Sequence, residues 1–185
     1  MKTSSIAWLF VFVAAHAFAG EPCVSGLQTG QKPGPYAAVI STGAQRGQSF
    51  CYICDTGEKP AAIIFARSLS DSLGKLACQL DKAVTEHKAA DLRSWITFLS
   101  DDQPSLDAKV VQWGQKHALR NVPLGVFEDV GGPPSYRLNR DADVTVLLFV
   151  KQRVVANFAF RASELSDAKI AEVGKALPGI VGAKK

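Results

Sequence analysis

Two stretches of this chain leave almost no place for water. Ala61-Ala62-Ile63-Ile64-Phe65-Ala66 has no polar side chain, and Val144-Thr145-Val146-Leu147-Leu148-Phe149-Val150 has one. A strand with one wet face alternates apolar and polar residues. A run without alternation, bounded by turn residues, marks a strand covered on both faces. Asp55-Thr56-Gly57-Glu58-Lys59-Pro60 supplies the turn chemistry before the first run. After it the period changes: Leu69, Leu73, Leu76, Leu80 and Val84 step by three and four, which draws one face of a helix reaching about His87. Ser68, Ser70 and Asp71 offer its N-cap. A doubly covered strand beside an amphipathic helix requires a layered α/β architecture.

The rest of the chain continues the alternation. Leu92 to Leu99 reads as a second strand, and Ser100-Asp101-Asp102-Gln103-Pro104 stops it and starts a helix, with Pro104 tolerated in the first turn. Leu106, Val110, Trp113 and His117 space that helix, and Pro123 to Phe127 forms a short strand. Asp129 to Ser135 is a Gly/Pro turn. Lys151-Gln152 joins the second apolar run to Arg153–Phe160, an antiparallel partner. Ser163 and Ser166 can cap a last helix, with Leu165, Ile170, Val173 and Leu177 on its apolar side and Pro178-Gly179 ending it. Upstream, residues 21–35 form an extended leader, Tyr36 to Ser41 a short strand and Gly43 to Ser49 a loop. The order β-α-β-α-β, then β-β-α, predicts a largely parallel sheet with helices on both faces and an antiparallel hairpin at the end.

The first residues carry an address. Lys2 precedes an apolar run from Ile6 to Phe18, and Ala17-Phe18-Ala19 makes an A-x-A site with cleavage expected before Gly20. The run is short for a hydrocarbon core, which needs about 20 apolar residues. The expectation is a periplasmic or secreted protein with no stable membrane insertion after cleavage. Residues 1–19 are then signal peptide, 20–59 an N-terminal extension with the cysteine pair, and 60–180 the main domain. The net charge of +4 is evenly spread, with no basic run interleaved with aromatics, so nucleic acid is not expected as a partner.

Cys51-Tyr52-Ile53-Cys54 is the motif with chemistry. Cysteines at this spacing can close a small disulfide or supply two metal ligands, and outside the cytoplasm the disulfide is the default. Three readings stay open: a redox-active dithiol, a structural disulfide stapling the segment, or a metal site. Zinc would need two further ligands from Cys23, Cys78 and His87, at no recognised spacing, and no cofactor is expected. Cys23–Cys78 can pair by elimination, or Cys78 can be a buried free thiol in its helix. The turn after Cys54 predicts that neither sulfur starts a helix. Arg46 and Lys59 are candidate cationic neighbours, and Asp55 opposes them.

The segment order, together with Val122-Pro123-Leu124-Gly125-Val126-Phe127-Glu128-Asp129, Tyr136-Arg137-Leu138, Val144–Val150 and Arg153-Val154-Val155, resembles the thioredoxin-like superfamily, in its redoxin and peroxiredoxin branch. The resemblance covers residues 60–178. It implies a three-layer α/β/α sandwich, with a mixed sheet, a C-terminal hairpin and a final helix. It also implies thiol–disulfide exchange with protein thiols or disulfides. The family's reactive cysteine begins the first helix, where this chain has Arg67-Ser68-Leu69-Ser70-Asp71-Ser72. The family's cis-proline position is held by Asp143 or Val144. The exchange residues are therefore expected to be Cys51 and Cys54, with Cys51 as attacker by analogy. The alternative is a non-enzymatic binding or envelope module stapled by the same pair.

Other polar residues read as structural. His87 and His117 sit near helix ends, Trp95 and Trp113 occupy apolar positions, and Asp101-Asp102 fits a helix start.

Overall fold

Strand β3 (Ala61–Ala66) is buried at every residue. It pairs in parallel with β4 (Arg93–Leu99) and antiparallel with β6 (Val144–Val150). Both edges are hydrogen-bonded and both faces covered, which is why no polar residue interrupts it. The sheet adds β1 (Ala38–Ile40), β2 (Ser49–Phe50), β5 (Leu124–Phe127) and β7 (Arg153–Phe160), in the order β2-β1-β5-β4-β3-β6-β7. This computed structural model describes residues 21–182. The expected signal peptide and the cut before Gly20 lie outside the described residues.

Parallel pairing is confined to β3–β4 and β4–β5, and the other four pairings are antiparallel. The sheet is thus mixed, as the family resemblance implies, with fewer parallel pairings than the strand–helix alternation alone predicts. The leader strand β1 adds to the free edge of β5, and the hairpin β6–β7 adds to β3. Gly125 sits at the first of these junctions. A Cβ there would lie 2.9 Å from the Val39 carbonyl oxygen, so only glycine lets the two backbones meet. At the other end Lys151 and Gln152 both take positive φ, the geometry of a tight hairpin turn that follows the strand twist.

The steps from β3 to β4 to β5 run the same way across the sheet. Right-handed crossovers then place both connecting helices on one face. Ala62, Ile64 and Ala66 accordingly pack with Leu73, Leu76 and Leu80 of α2 (Asp71–Glu86) and with Val110 and Trp113 of α3 (Gln103–Lys116). Ile170 and Val173 of α4 (Asp167–Ala176) and Ile180 of α5 (Pro178–Val181) join the same core. The helix α4 stops just before Pro178, as its sequence implies. Pro178 then opens a further short helix, α5, because proline needs no N–H partner in a first turn.

The second face has no long helix. Ala61, Ile63 and Phe65 are covered by Leu27 and Tyr36 of the leader, by Tyr52 and Ile53 of the short helix α1 (Tyr52–Thr56), and by Tyr136 in a 3-10 turn (Pro134–Tyr136). Tyr36, Phe65 and Tyr136 form an aromatic triangle with ring centroids 4.9–5.5 Å apart. The leader is tied down by backbone bonds between Gly30 and Val154 (2.8 Å) and between Val154 and Gln31 (3.0 Å). The Asn157 amide donates to the Ser25 and Leu27 carbonyls at 2.7 Å each.

On the helical face, Leu80 is fully buried. Leu80→Ala is expected to destabilise the protein by about 2–5 kcal/mol. In urea denaturation the midpoint should fall with an unchanged slope.

Candidate functional site

Cys51 and Cys54 are joined in a disulfide with Cα atoms 5.3 Å apart. Cys51 has extended backbone and is the N-cap of α1, where its Sγ accepts the Cys54 N–H at 3.2 Å. This corrects the expectation that neither sulfur begins a helix. The sulfur takes the role that a serine or aspartate oxygen usually plays at an N-cap, and Asp55-Thr56-Gly57 supplies the rest of one helical turn rather than an open turn. Thr56 is buried and its hydroxyl donates to the Tyr52 carbonyl at 2.7 Å, which tightens that turn.

The two residues between the cysteines anchor the motif. Tyr52 stacks on Trp95 with ring centroids 5.5 Å apart and meets Phe50 at 4.9 Å, while Ile53 packs into the second core. Trp95 is buried, as expected, and its indole N–H donates to the Tyr36 hydroxyl at 2.8 Å. Burial pushes the Tyr52 hydroxyl up to about 12, with Asp55 adding to the shift. Burial also pushes Tyr36 up to about 12, against hydrogen bonds with Thr97 and Trp95 that favour its ionised form. Tyr136 is raised as well, again mainly by burial.

The cysteines differ in exposure. Cys54 is exposed, whereas Cys51 is half-buried. The analogy that made Cys51 the attacker takes the first cysteine as the exposed one, and here the more exposed residue is the second. Cys54 lines a cleft of about 200 Å³ together with Lys32, Pro33, Pro35, Ile53, Gly57 and Gln152. On the other side of the motif, Tyr52 borders a second cleft of about 290 Å³ with Val84, Leu92, Arg93, Trp95 and Pro123. The charges also differ from expectation. Asp55 pairs with Arg93, and Lys59 pairs with Asp91, so the expected opposition of Lys59 and Asp55 around the sulfurs is absent. Arg46 is exposed.

The motif sits beside the amino ends of the parallel strands. The Arg93 N–H that opens β4 donates to the Pro60 carbonyl at 3.0 Å, and Lys151 donates to Glu58 at 2.9 Å. The carboxyl ends, where such folds usually hold ligands, lie at the opposite edge. There Arg67 donates to the carbonyls of Ala142 (3.0 Å), Asn139 (3.2 Å) and Val130. The Ser68 hydroxyl donates to the Asp143 carboxylate at 2.7 Å. No cis peptide bond occurs among the described residues.

Cys23 and Cys78 are free, which overturns the pairing by elimination. Cys78 is exposed on α2 rather than buried, with its thiol directed to the His117 carbonyl at 3.3 Å. Partial burial raises both thiols above the ordinary value, with Asp81 adding to the effect at Cys78. Neither is tuned for nucleophilic attack. Among the described residues no three His, Cys, Asp or Glu side chains come together to hold a metal ion. His87 and His117 cap α2 and α3, and Asp102 caps α3 by accepting the Ser105 N–H at 3.2 Å. None of them lines the cleft at Cys54.

A mixed seven-stranded sheet of this order, with its long helices on one face and a short helix and the leader on the other, has the thioredoxin-like fold. Solved structures of that class superpose on most of the chain. A candidate protein disulfide isomerase from Bacteroides thetaiotaomicron matches at TM-score 0.64 and 17% identity, over 86% of this chain and 94% of its own. A candidate thiol:disulfide interchange protein DsbE from Chlorobium tepidum matches at TM-score 0.59 and 16% identity, over 82% and 99%. A secreted disulfide oxidoreductase from Mycobacterium tuberculosis matches at TM-score 0.57 and 12% identity, over 78% and 95%. No family model and no curated protein sequence matches the chain.

The three tyrosines give a direct test of this packing. Absorbance titration should show no phenolate appearing near pH 10 in the folded protein, with Tyr36 and Tyr52 ionising only near pH 12. The unfolded chain ionises near pH 10, so stability should be fully present below that pH. It should be lost as pH rises from about 10 toward 12.

Proposed function

We propose that this chain is an exported thioredoxin-fold protein that works in thiol–disulfide exchange through Cys51 and Cys54. The carrying observation is the closed disulfide with one exposed residue, Cys54, lining a cleft. A buried bridge would offer no sulfur to a partner. The fold supports the reading, because solved neighbours are described as disulfide isomerase, interchange protein and oxidoreductase. The leader of apolar residues and Ala17-Phe18-Ala19 supports export, as does the disulfide, which persists in oxidising compartments. No helix among the described residues is long and apolar enough to cross a membrane. The partners in this reading are protein thiols or disulfides.

A second reading has its own observation. Tyr52 and Ile53, held between the cysteines, are lodged in the second core, so the bridge also clamps α1 to the sheet. In that reading the pair is a staple and the chain a non-enzymatic binding or envelope module.

Redox titration with thiol trapping separates the two. Exchange predicts a reversible couple between about −120 and −270 mV, the range of known exchange proteins. A couple below about −300 mV, combined with a stability loss of about 2 kcal/mol in Cys51→Ser, assigns the staple instead.

A further inference from the structure

Resting on the exchange reading, we infer that the second cysteine of the motif, Cys54, is the sulfur that bonds to the partner. The partner's sulfur enters along the cleft of Lys32, Pro33, Pro35, Gly57 and Gln152. Three observations converge on this. Cys54 is exposed and lines that cleft, whereas Cys51 is half-buried and does not. Cys51 is flanked in the chain by Phe50 and Tyr52, whose rings meet at 4.9 Å. The Cys51 Sγ also accepts the Cys54 N–H at 3.2 Å, an interaction that favours negative charge on that sulfur. Exchange runs fastest when the attacked sulfur is accessible and the departing one is a stabilised thiolate. The geometry assigns these roles to Cys54 and Cys51 respectively.

The step balances as follows. A partner thiolate attacks Cys54 Sγ along the cleft and forms a partner–Cys54 bond. The Cys51–Cys54 bond breaks, and its electron pair leaves on Cys51 as a thiolate held by the N–H. A second thiolate, from the same partner or from a second molecule of a small thiol, attacks the partner sulfur of the mixed disulfide and expels Cys54 as thiolate. Two electrons have passed from the two partner thiols, now joined as a disulfide, to the Cys51–Cys54 pair, and the two protons those thiols release return to Cys51 and Cys54. In the reverse direction Cys54 attacks a partner disulfide, and Cys51 resolves the mixed disulfide.

The cleft also sets the class of partner. Its volume of about 200 Å³ admits a side chain or a small thiol rather than a flat folded surface. Its walls are two prolines, an isoleucine and a glycine, and its single charge is Lys32. Among the described residues Lys32 forms no ion pair. The favoured substrate is therefore a thiol or disulfide on a flexible, negatively charged group, either a small molecule or an acidic cysteine-bearing peptide.

The test uses the oxidised wild-type protein, glutathione as probe, acid quenching and peptide mapping. The mixed disulfide is expected on Cys54. Reduced Cys51→Ser should form a mixed disulfide with oxidised glutathione at least about tenfold faster than reduced Cys54→Ser. Lys32→Glu should slow the wild-type motif toward oxidised glutathione by about two- to fivefold, and not toward the cationic disulfide cystamine. An acidic cysteine peptide run against a basic one distinguishes a peptide source from a small thiol. An adduct on Cys51, or equal or reversed rates in the two serine variants, overturns the assignment of Cys54 while exchange stands. An unchanged rate in Lys32→Glu overturns the acidic preference. A wild-type bridge that neither glutathione nor dithiothreitol opens in the folded protein overturns the exchange reading itself, and this inference with it. The wild-type mapping needs no variant to fold.

Discussion

The need to cover β3 on both faces governs this molecule. A six-residue strand without a polar side chain is stable only at the centre of a sheet, hydrogen-bonded along both edges and packed on both sides. One side is filled by α2, α3, α4 and α5, which the crossover handedness and the final hairpin bring to the same face. The other side must then be closed by whatever chain remains. It is closed by the leader, by α1 and by the crossover around Tyr136. These segments are held by an aromatic triangle and by backbone bonds to β7.

That covering layer also carries the cysteine pair. In the thioredoxin-like fold the carboxyl ends of the parallel strands are the usual ligand edge. Here that edge is occupied by Arg67 bound to three carbonyls and by the Ser68–Asp143 pair. The cysteine pair instead sits beside the amino ends, on a single helical turn clamped by Tyr52 against Trp95. The clamp orients the motif by burying one side of it. Cys51 is half-buried and Cys54 exposed, so the two residues differ in exposure despite their symmetric spacing.

Much of the fold was legible because hydrophobic period is a local property. The apolar run at 61–66, the three- and four-residue steps through Leu69, Leu73, Leu76, Leu80 and Val84, and the Lys151-Gln152 turn each appear where their patterns place them. The caps at Ser70, Asp102 and Ser166 followed from residue type and position. Most of the misses share one cause. The antiparallel pairing of β1 with β5, the free state of Cys23 and Cys78, and the Asp55–Arg93 pair all depend on partners tens of residues away. Helix α1 was missed because five residues with no apolar period give no helical signal, and its N-cap is a sulfur rather than an oxygen.

From its sequence alone, this chain determined a thioredoxin-like layered fold, a C-x-x-C pair ahead of the first core strand, and the absence of a cysteine at Arg67–Ser72. These are consequences of residue type and spacing along a few turns or strand steps. Only the tertiary structure decided which cysteine is the more exposed and which residues wall the cleft. Lys32, Pro33 and Pro35 reach Cys54 from the leader, and Gln152 reaches it from the hairpin turn. No local pattern encodes that meeting. It follows from the requirement that the second face of β3 be covered by the chain that remains.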